Sequence, residues 1–383
     1  MFSTVLTFYY ILIIMHSKKF VYSLIFILLF IVVIPLIATF LLQERNDPNN
    51  EKYISNKPLV WRDNFSLMGC ISLINNELQY LLKDEAIPDF QPYKRVLDSI
   101  SLTIKEMKQK NVPTHTLVDT LIKIIYSDFS ITFDPKYDDI ETMLPHIVMK
   151  NKKGSCLGVS LLFLLLAEKN IDHLYGVLLP GHFIIRFTDS TITRNIEPNR
   201  SGYNHPDSYY FKQYFSQNKS WFFMKNLTLM EASGVLFFNI ANICHSKGKF
   251  HAAKRYYLAC SSVLKDFPEA WGNLAITYSS LGQNDSAGIA FQKASMLKPD
   301  LENLSLNIGA FELGLKNYSR ALVSFKKAFI HSPENPDILY GMAFAYYSLE
   351  KADSAQIYLD IMAAKGLLAS REKKLLKLLK KNR

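Results

Sequence analysis

The spacing of apolar residues divides the chain into a mixed α and β part and a helical part. Apolar residues recur every three or four positions in segments 66–82, 93–111 and 114–129, as expected for helices that bury one face. A very apolar helix follows from Cys156, and residues 175–198 have the composition of strands. The pattern therefore predicts an α+β core with a small antiparallel sheet.

The C-terminal part of the sequence repeats itself every 34 residues. Alanine recurs in this phase at Ala253, Ala287, Ala321 and Ala355. One unit resembles the tetratricopeptide repeat, a pair of antiparallel helices, at Trp271, Leu274, Ala275, Tyr278, Gly282, Ala287, Phe291, Ala294 and Pro299. We predict four such units over residues 234–369, stacked into an all-α solenoid whose concave groove binds a protein or peptide partner.

Residues 20–42 are 23 residues without a charge. A helix of this length spans about 34 Å, enough to cross a bilayer. Lys18 and Lys19 precede it, so the positive-inside rule places residues 1–19 in the cytoplasm and residues 43–383 outside. The sequence therefore predicts a single-pass membrane protein with an extracytoplasmic globular part, which would be periplasmic in a Gram-negative cell.

Three further segments complete the predicted organisation. Residues 43–59 are polar and contain two prolines, which is typical of a linker. Residues 216–233 are interpreted as a connector, and residues 370–383 as a basic helix that caps the repeats. Met1 and Met15 are both kept as candidate start residues.

Composition and charge exclude several kinds of site. The formal net charge is +10, but the last 13 residues supply +6 of it, so no basic surface for nucleic acid is predicted over the fold. Four cysteines are too few for a disulfide framework, although Cys244 and Cys260 could form one bridge instead of two buried thiols. No cluster has metal-ligand spacing and no Gly-rich phosphate loop is present, so neither a metal nor a cofactor is predicted.

The strongest candidate chemistry lies at Cys156. Ser155 is a good N-cap, so Cys156 should open a helix that ends near Asn170, where free N–H groups favour a thiolate. A thiolate nucleophile needs a histidine and a third group that orients it. If residues 182–187 pair with residues 192–197 as antiparallel strands, with Phe187 opposite Ile192, the residue numbers of each opposite pair sum to 379. His182 then faces Glu197.

The motifs GSC at a helix start, PGHF on a strand and NIEP on the next strand resemble the transglutaminase-like core of the papain-type superfamily. The similarity covers about residues 60–215, and the bacterial branch it resembles joins this core to tetratricopeptide repeats. The resemblance implies a catalytic triad of Cys156, His182 and Glu197. Asn195 is an alternative orienting residue, and Ser155 is an auxiliary one.

Two functions of different classes follow from these features. The first is thiol-dependent hydrolysis or acyl transfer at an amide or peptide bond of a partner protein bound by the repeats. The second is a binding scaffold whose core has lost its chemistry. Five aromatic residues are predicted to pack the core against the repeats, namely Tyr209, Tyr210, Phe211, Trp221 and Phe222. The oligomeric state is left open.

Overall fold

The computed structural model groups the chain into two units, Met1–Lys57 and Pro58–Arg383. Only the second contains residues whose structure is described here, and these are 66–81, 87–135, 139–215, 222–301 and 303–381. Within these ranges an α+β core precedes a stack of paired helices, as the apolar pattern predicts.

The core is built from short helices around one buried helix. Its helices are α1 (Leu67–Leu81), α2 (Gln91–Gln109), α3 (Thr114–Lys123), α4 (Pro145–Asn151), α5 (Cys156–Ala167) and α6 (Asp207–Tyr214). Every residue of α5 is buried, because helices and sheet surround it on all sides. This explains why its sequence is apolar around the whole circumference rather than along one stripe.

Three antiparallel strands form the sheet, in the order β3 (Leu174–Leu179), β4 (His182–Thr188) and β5 (Thr193–Ile196). A separate parallel pair joins β1 (Thr132–Phe133) to β2 (Lys153–Gly154). Strands β3 and β4 are linked by a two-residue turn, in which Pro180 presets the first position and Gly181 adopts φ +66° at the second. The turn leaves His182 as the first residue of β4.

The register of β4 and β5 differs from the sequence prediction. Ile185 pairs with Ile196 and Arg186 with Asn195, so paired numbers sum to 381 instead of 379. The shift arises because the four-residue turn begins one residue later than predicted, at Asp189, whose side chain accepts hydrogen bonds from the amides of Thr191 and Ile192. A shift of two residues preserves which side chains share a face. The predicted set of residues on each face of the sheet is therefore confirmed, whereas the predicted pairs of directly opposite residues are wrong.

Four helical hairpins follow the core. Their helices are α7 (Leu229–Ser246) with α8 (Phe250–Val263), α9 (Pro268–Ser280) with α10 (Asn284–Leu297), α11 (Leu304–Gly314) with α12 (Tyr318–His331), and α13 (Pro336–Ser348) with α14 (Ala352–Ala364). The four phased alanines are all fully buried, because only a small side chain lets the two helices of a hairpin come close. A final helix, α15 (Ser370–Lys381), buries Leu375 and Leu379 against the last hairpin.

The core and the first hairpin share one hydrophobic cluster, and polar contacts connect them as well. The Arg255 guanidinium of α8 lies 2.7 Å from the Glu77 carboxylate of α1, and the Tyr256 hydroxyl donates to the same carboxylate at 2.9 Å. Arg255 is only 8 % exposed. Its equivalents at 34-residue intervals, Ile289, Val323 and Ile357, are 67 %, 58 % and 58 % exposed. The core thus covers on the first repeat the face that later repeats leave open.

Aromatic side chains add to this interface. Phe222 stacks on Phe267, which precedes α9, with ring centroids 4.8 Å apart. Phe267 also meets Phe238 of α7 edge to face at 5.0 Å. The predicted packing role of Phe222 is therefore confirmed, whereas Trp221 lies outside the described residues.

The predicted membrane-spanning helix is not supported. None of the described helices combines the length and the apolar character needed to cross a bilayer. The most apolar of them, α5, has 12 residues. Its length of about 18 Å falls well short of a hydrocarbon core of about 30 Å. Residues 20–42 themselves lie outside the described ranges. The fold class is corrected accordingly, to an α+β core with a helical repeat stack, and the predicted localisation as a single-pass membrane protein is not supported by the described residues.

Candidate active site

The reactive cysteine candidate stands at the first position of α5. Ser155 caps the helix as predicted, since its Oγ accepts from the Gly158 amide at 3.2 Å. The same Oγ donates to the Thr142 carbonyl at 3.0 Å, which fixes the helix start to the preceding loop. The helix ends at Ala167, slightly before the predicted Asn170. Cys156 is 9 % exposed and lines a cavity, so its thiol is reachable from one side only.

Gly158 lets this helix start approach the loop closely, because a Cβ there would lie 2.0 Å from the Thr142 carbonyl oxygen. Replacing Gly158 with alanine is therefore expected to lower the free energy of unfolding by about 3 kcal/mol. Urea unfolding of the full chain measures the effect. The matched control is Gly288→Ala in α10, where no atom lies within 4 Å of the added Cβ. This substitution is expected to raise the free energy of unfolding by up to about 1 kcal/mol. Equal effects of the two substitutions would contradict this packing.

His182 and Glu197 form a buried pair. The Nε2 atom of His182 lies 3.0 Å from each carboxylate oxygen of Glu197, and both side chains are 3 % exposed. The carboxylate only accepts hydrogen bonds, so Nε2 carries a hydrogen. Glu197 Oε1 also accepts from the Asn199 amide at 3.0 Å, which holds the carboxylate in place. The Nδ1 atom is thereby left for another partner, and Cys156 lines the same cavity as His182.

The electrostatics of this group favour a charged imidazole. Burial disfavours the charged form of His182, but hydrogen bonds to Cys156 and Glu197, together with their charges, outweigh burial and raise its pKa to about 9. Burial likewise opposes ionisation of Glu197, yet the hydrogen bond and the charge of His182 bring the pKa of Glu197 below its usual value. The arrangement is thus that of an imidazolium held between a carboxylate and a sulfur.

Glu197 reaches His182 despite the shifted register. In the observed pairing Asn199 would stand opposite His182, and Glu197 lies two residues earlier on the same face. Such diagonal neighbours remain within reach of long side chains. Glu197 also follows the end of β5 and caps a short helical turn, Pro198–Arg200, which brings its carboxylate inward. Because the two side chains lie on one face of the sheet, as predicted, they meet even though the register is shifted.

Asn195 does not orient the histidine. Its Oδ1 accepts from the Arg186 Nε at 2.8 Å, and its Nδ2 donates to the His205 carbonyl and to Asp207, both at 2.8 Å. The Arg186 guanidinium in turn bonds Asp207 at 2.7 Å. Asn195 therefore belongs to a separate buried network that fixes the start of α6 to the sheet.

Two tyrosines of α6 complete the surroundings of the pair. The Tyr214 ring stacks on the His182 imidazole, with centroids 4.6 Å apart and planes inclined by 6°. Tyr210 is fully buried beside Glu197, whose charge adds to burial in raising the pKa of the tyrosine. Tyr210 is among the residues predicted to pack the two parts together, whereas Tyr214 is not among the predicted residues. Their spacing of four residues on one helix was the signal available in the sequence.

A cavity of 1090 Å³ opens beside Cys156 and His182 and extends along the repeats. Its wall near the thiol is apolar and aromatic, with Leu178, Phe183, Tyr214, Phe223 and Phe238 among the lining residues. It continues past the connections between hairpins as far as Ile338 in α13. Core and repeats therefore line a single space.

The other cysteines have a different environment. Cys70, Cys244 and Cys260 are buried and none of them takes part in a disulfide, so no Cys244–Cys260 bridge is formed. Burial raises the pKa of Cys70 and of Cys260, which keeps both as unreactive thiols. In the ranges that the structure covers, no group of three or more His, Cys, Asp or Glu residues is placed to hold a metal ion.

Comparisons with known proteins place these observations in families. Residues 91–214 match the profile of the transglutaminase-like superfamily. Residues 236–263, 268–301 and 312–368 match tetratricopeptide repeat profiles. The anaphase-promoting complex subunit CDC16 of Saccharomyces cerevisiae is 27 % identical over 149 residues, which cover 38 % of this chain. The matched segment spans only 18 % of the yeast protein.

Two solved structures align with this chain at low identity. MamA from Desulfovibrio magneticus RS-1 is 20 % identical, with a TM-score of 0.33 over 40 % of this chain and 96 % of its own. Menin is 13 % identical, with a TM-score of 0.45 over 89 % of this chain and 80 % of its own. Taken with the profile matches, the helices and the sheet described above show that the chain carries a domain of the transglutaminase-like superfamily followed by tetratricopeptide repeats.

Proposed function

We propose that the protein carries out thiol-dependent acyl chemistry on an amide or peptide bond, with Cys156 as nucleophile. The observation that carries the proposal is the buried His182–Glu197 pair at the wall of a cavity that Cys156 also lines. A histidine beside a thiol at a helix N-terminus stabilises the thiolate, and a carboxylate beyond it fixes the ring.

Each group has one role in the proposed reaction. The Cys156 thiolate attacks the carbonyl carbon, and the His182 imidazolium gives its proton to the leaving nitrogen as the C–N bond breaks. An acyl-thioester on Cys156 and a free amine result. Neutral His182 then takes a proton from water, the hydroxide attacks the thioester, and the acid leaves as the thiolate is restored. An amine in place of water gives acyl transfer.

Acylation of Cys156 by p-nitrophenyl acetate tests the proposal without knowledge of the natural substrate. We expect a burst of nitrophenolate and an acetyl group located on Cys156 by mass spectrometry. Cys156→Ser removes both and leaves the three buried thiols as internal controls. Adding a primary amine distinguishes transfer from hydrolysis, since transfer yields the acetylated amine. Acetylation that is absent, or equal at all four cysteines, would overturn the proposal.

Replacing Glu197 with glutamine is expected to lower the pKa of His182 from about 9 by roughly one unit or more, because the negative charge that stabilises the imidazolium is lost. An NMR titration of the ring measures this shift. Glu141→Gln is the control, since it removes an exposed carboxylate next to Thr142. A similar His182 titration in both variants would show that Glu197 does not set the charge of the ring.

The same coupling has a consequence for stability. The pKa of His182 is raised in the folded chain. Its contribution to the free energy of unfolding is therefore fully present below the unfolded-state pKa of about 6.5, and it is lost as the pH rises through the folded-state pKa of about 9. The free energy of unfolding should therefore fall between these pH values, and fall less in Glu197→Gln.

A second candidate function is that of a protein-interaction scaffold. The repeats favour it, since tetratricopeptide units generally present extended binding surfaces, and the yeast relative is a subunit of a complex. A scaffold does not need an acylated thiol. The burst experiment separates the two candidates, because partner binding that survives Cys156→Ser with no acetylation in the unmodified chain would favour the scaffold.

A further inference from the structure

Helix α6 lies along the face of the sheet that carries His182. Three of its residues, Asp207, Tyr210 and Tyr214, are three and four positions apart, so they lie on one side of the helix. On β4, His182 and Arg186 are separated by an even number of positions, so they point to one face of the sheet. Asp207 meets Arg186 and Tyr214 meets His182. The end of α6 is therefore brought to the imidazole.

The rest of α6 is held in place by buried contacts. The Arg186 guanidinium donates to Asp207 at 2.7 Å, and Asn195 Nδ2 donates to the same carboxylate oxygen at 2.8 Å. Both donors belong to buried residues. In the middle of the helix, the fully buried Tyr210 packs with Ile184 of β4. The helix is thus fixed to the sheet at two points before it reaches its last residue, Tyr214.

The hydrogen bond to Glu197 fixes only one point of the His182 ring. The bonded atom, Nε2, lies closer to the axis of the Cβ–Cγ bond than Nδ1 does. Rotation about this bond, a torsion with broad minima in histidine, therefore moves Nδ1 more than it moves Nε2. A second contact is needed to hold the plane of the ring and, with it, the direction of Nδ1.

The Tyr214 ring supplies a contact of this kind. It lies flat on the imidazole, with centroids 4.6 Å apart and planes inclined by 6°. Flat stacking opposes rotation about Cβ–Cγ, because a rotated imidazole would press one edge into the tyrosine ring. Attraction between an aromatic face and a cation adds to the contact when the imidazole is protonated. Tyr214 and His182 both line the cavity that Cys156 also lines, so the stacked rings lie where the proposed reaction takes place.

We propose that Tyr214 is a positioning residue for His182, whose ring holds the plane of the imidazole in the orientation that the reaction at Cys156 needs. Tyr214 acts through the histidine, and its aromatic ring rather than its hydroxyl group is the part that acts. The proposal rests on the proposed acyl chemistry for the reaction whose rate it affects. The mobility of the His182 ring does not depend on that chemistry.

The kinetic test compares two substitutions of Tyr214 in the full chain. Tyr214→Phe keeps the ring and should leave the rate of Cys156 acetylation by p-nitrophenyl acetate unchanged. Tyr214→Leu keeps apolar bulk without a ring and should slow acetylation by about tenfold, the effect of losing one contact between a cation and an aromatic face. The matched control is Tyr209→Leu on the same helix, because the Tyr209 ring stacks on His205 instead, at 3.8 Å. Its rate should equal that of the unmodified chain.

NMR relaxation of the His182 ring tests its position without any reaction. The order parameter of the Cδ2–H bond, measured with 13C-labelled histidine, should be high in the unmodified chain, in Tyr214→Phe and in Tyr209→Leu. In Tyr214→Leu it should fall below about 0.6, the range of flexible groups. Urea unfolding shows whether each variant folds. Tyr214→Met is a second variant without a ring, and it replaces Tyr214→Leu if leucine prevents folding.

The two proposals fail in different ways. An unmodified chain without acetyl-Cys156 would remove the chemistry, and the order parameters would still decide whether Tyr214 holds the His182 ring. If the unmodified chain is acetylated, an equal rate in Tyr214→Leu would keep the chemistry and overturn the role of Tyr214. Equal slowing in Tyr214→Phe would also overturn it, since the ring alone would then be insufficient. Equal slowing in Tyr209→Leu would overturn it as well, because a general loosening of α6 would then explain the effect.

Discussion

Replacing His182 with alanine is expected to slow acetylation of Cys156 by p-nitrophenyl acetate by about 10²–10⁴-fold near neutral pH. The imidazole bonds Glu197 and lines the same cavity as Cys156, and its raised pKa of about 9 keeps it protonated near neutral pH. Without it, the thiol loses both the counterion that stabilises the thiolate and the group that moves the proton. Rapid-quench mass spectrometry of the Cys156 peptide measures the rate.

The matched control for this substitution is His115→Ala, on the exposed side of α3. It removes a histidine that does not line the cavity and should leave the acetylation rate unchanged. Urea unfolding shows whether His182→Ala still folds. A folded His182→Ala chain that acetylates Cys156 at the unmodified rate would exclude His182 from the chemistry.

Replacing Glu77 with alanine is expected to lower the free energy of unfolding by about 3–5 kcal/mol, because it leaves a buried cation without a partner. Glu77 accepts from the Arg255 guanidinium at 2.7 Å and from the Tyr256 hydroxyl at 2.9 Å. Arg255 is 8 % exposed and Tyr256 is fully buried, so water cannot replace the lost carboxylate. Urea unfolding, followed by circular dichroism, measures the change.

Two further variants sharpen this prediction. Asp172→Ala breaks the ion pair with Lys108, whose side chains are 76 % and 47 % exposed, and should cost less than about 1 kcal/mol. The double variant Glu77→Leu with Arg255→Met should be less destabilised than Glu77→Ala, since it removes the stranded charge. A Glu77→Ala chain as stable as Asp172→Ala would show that the contact between core and first repeat does not depend on this pair.

The repeats and the start of the cysteine helix are predictable because local rules determine them. A period of 34 residues with small residues in phase specifies paired helices, and Ser155 before an apolar run specifies a capped helix start. Both features depend on neighbours in the sequence. Their position in the structure follows the prediction to within a few residues at helix ends.

The details of the site depend on contacts between distant segments and are less predictable. The pairing of β4 with β5 is set by the turn at Asp189. The alternation of side chains along each strand determines only which residues share a face of the sheet. That was enough to place Glu197 near His182. It could not reveal that Arg186 and Asp207 would engage Asn195, or that Tyr214 would stack on His182. The cavity shared with the repeats is likewise a tertiary feature.

The most direct measurement of the central claim is the rate of Cys156 alkylation by iodoacetamide at about pH 7, compared between the full chain and its His182→Ala variant and resolved by site with mass spectrometry. The proposed interaction with His182 predicts that Cys156 reacts faster than the three other cysteines and that removing the imidazole slows its alkylation, because a neighbouring cation favours the reactive form of a thiol. Equal rates at Cys156 in the two chains would contradict this interaction and, with it, the proposed acyl chemistry.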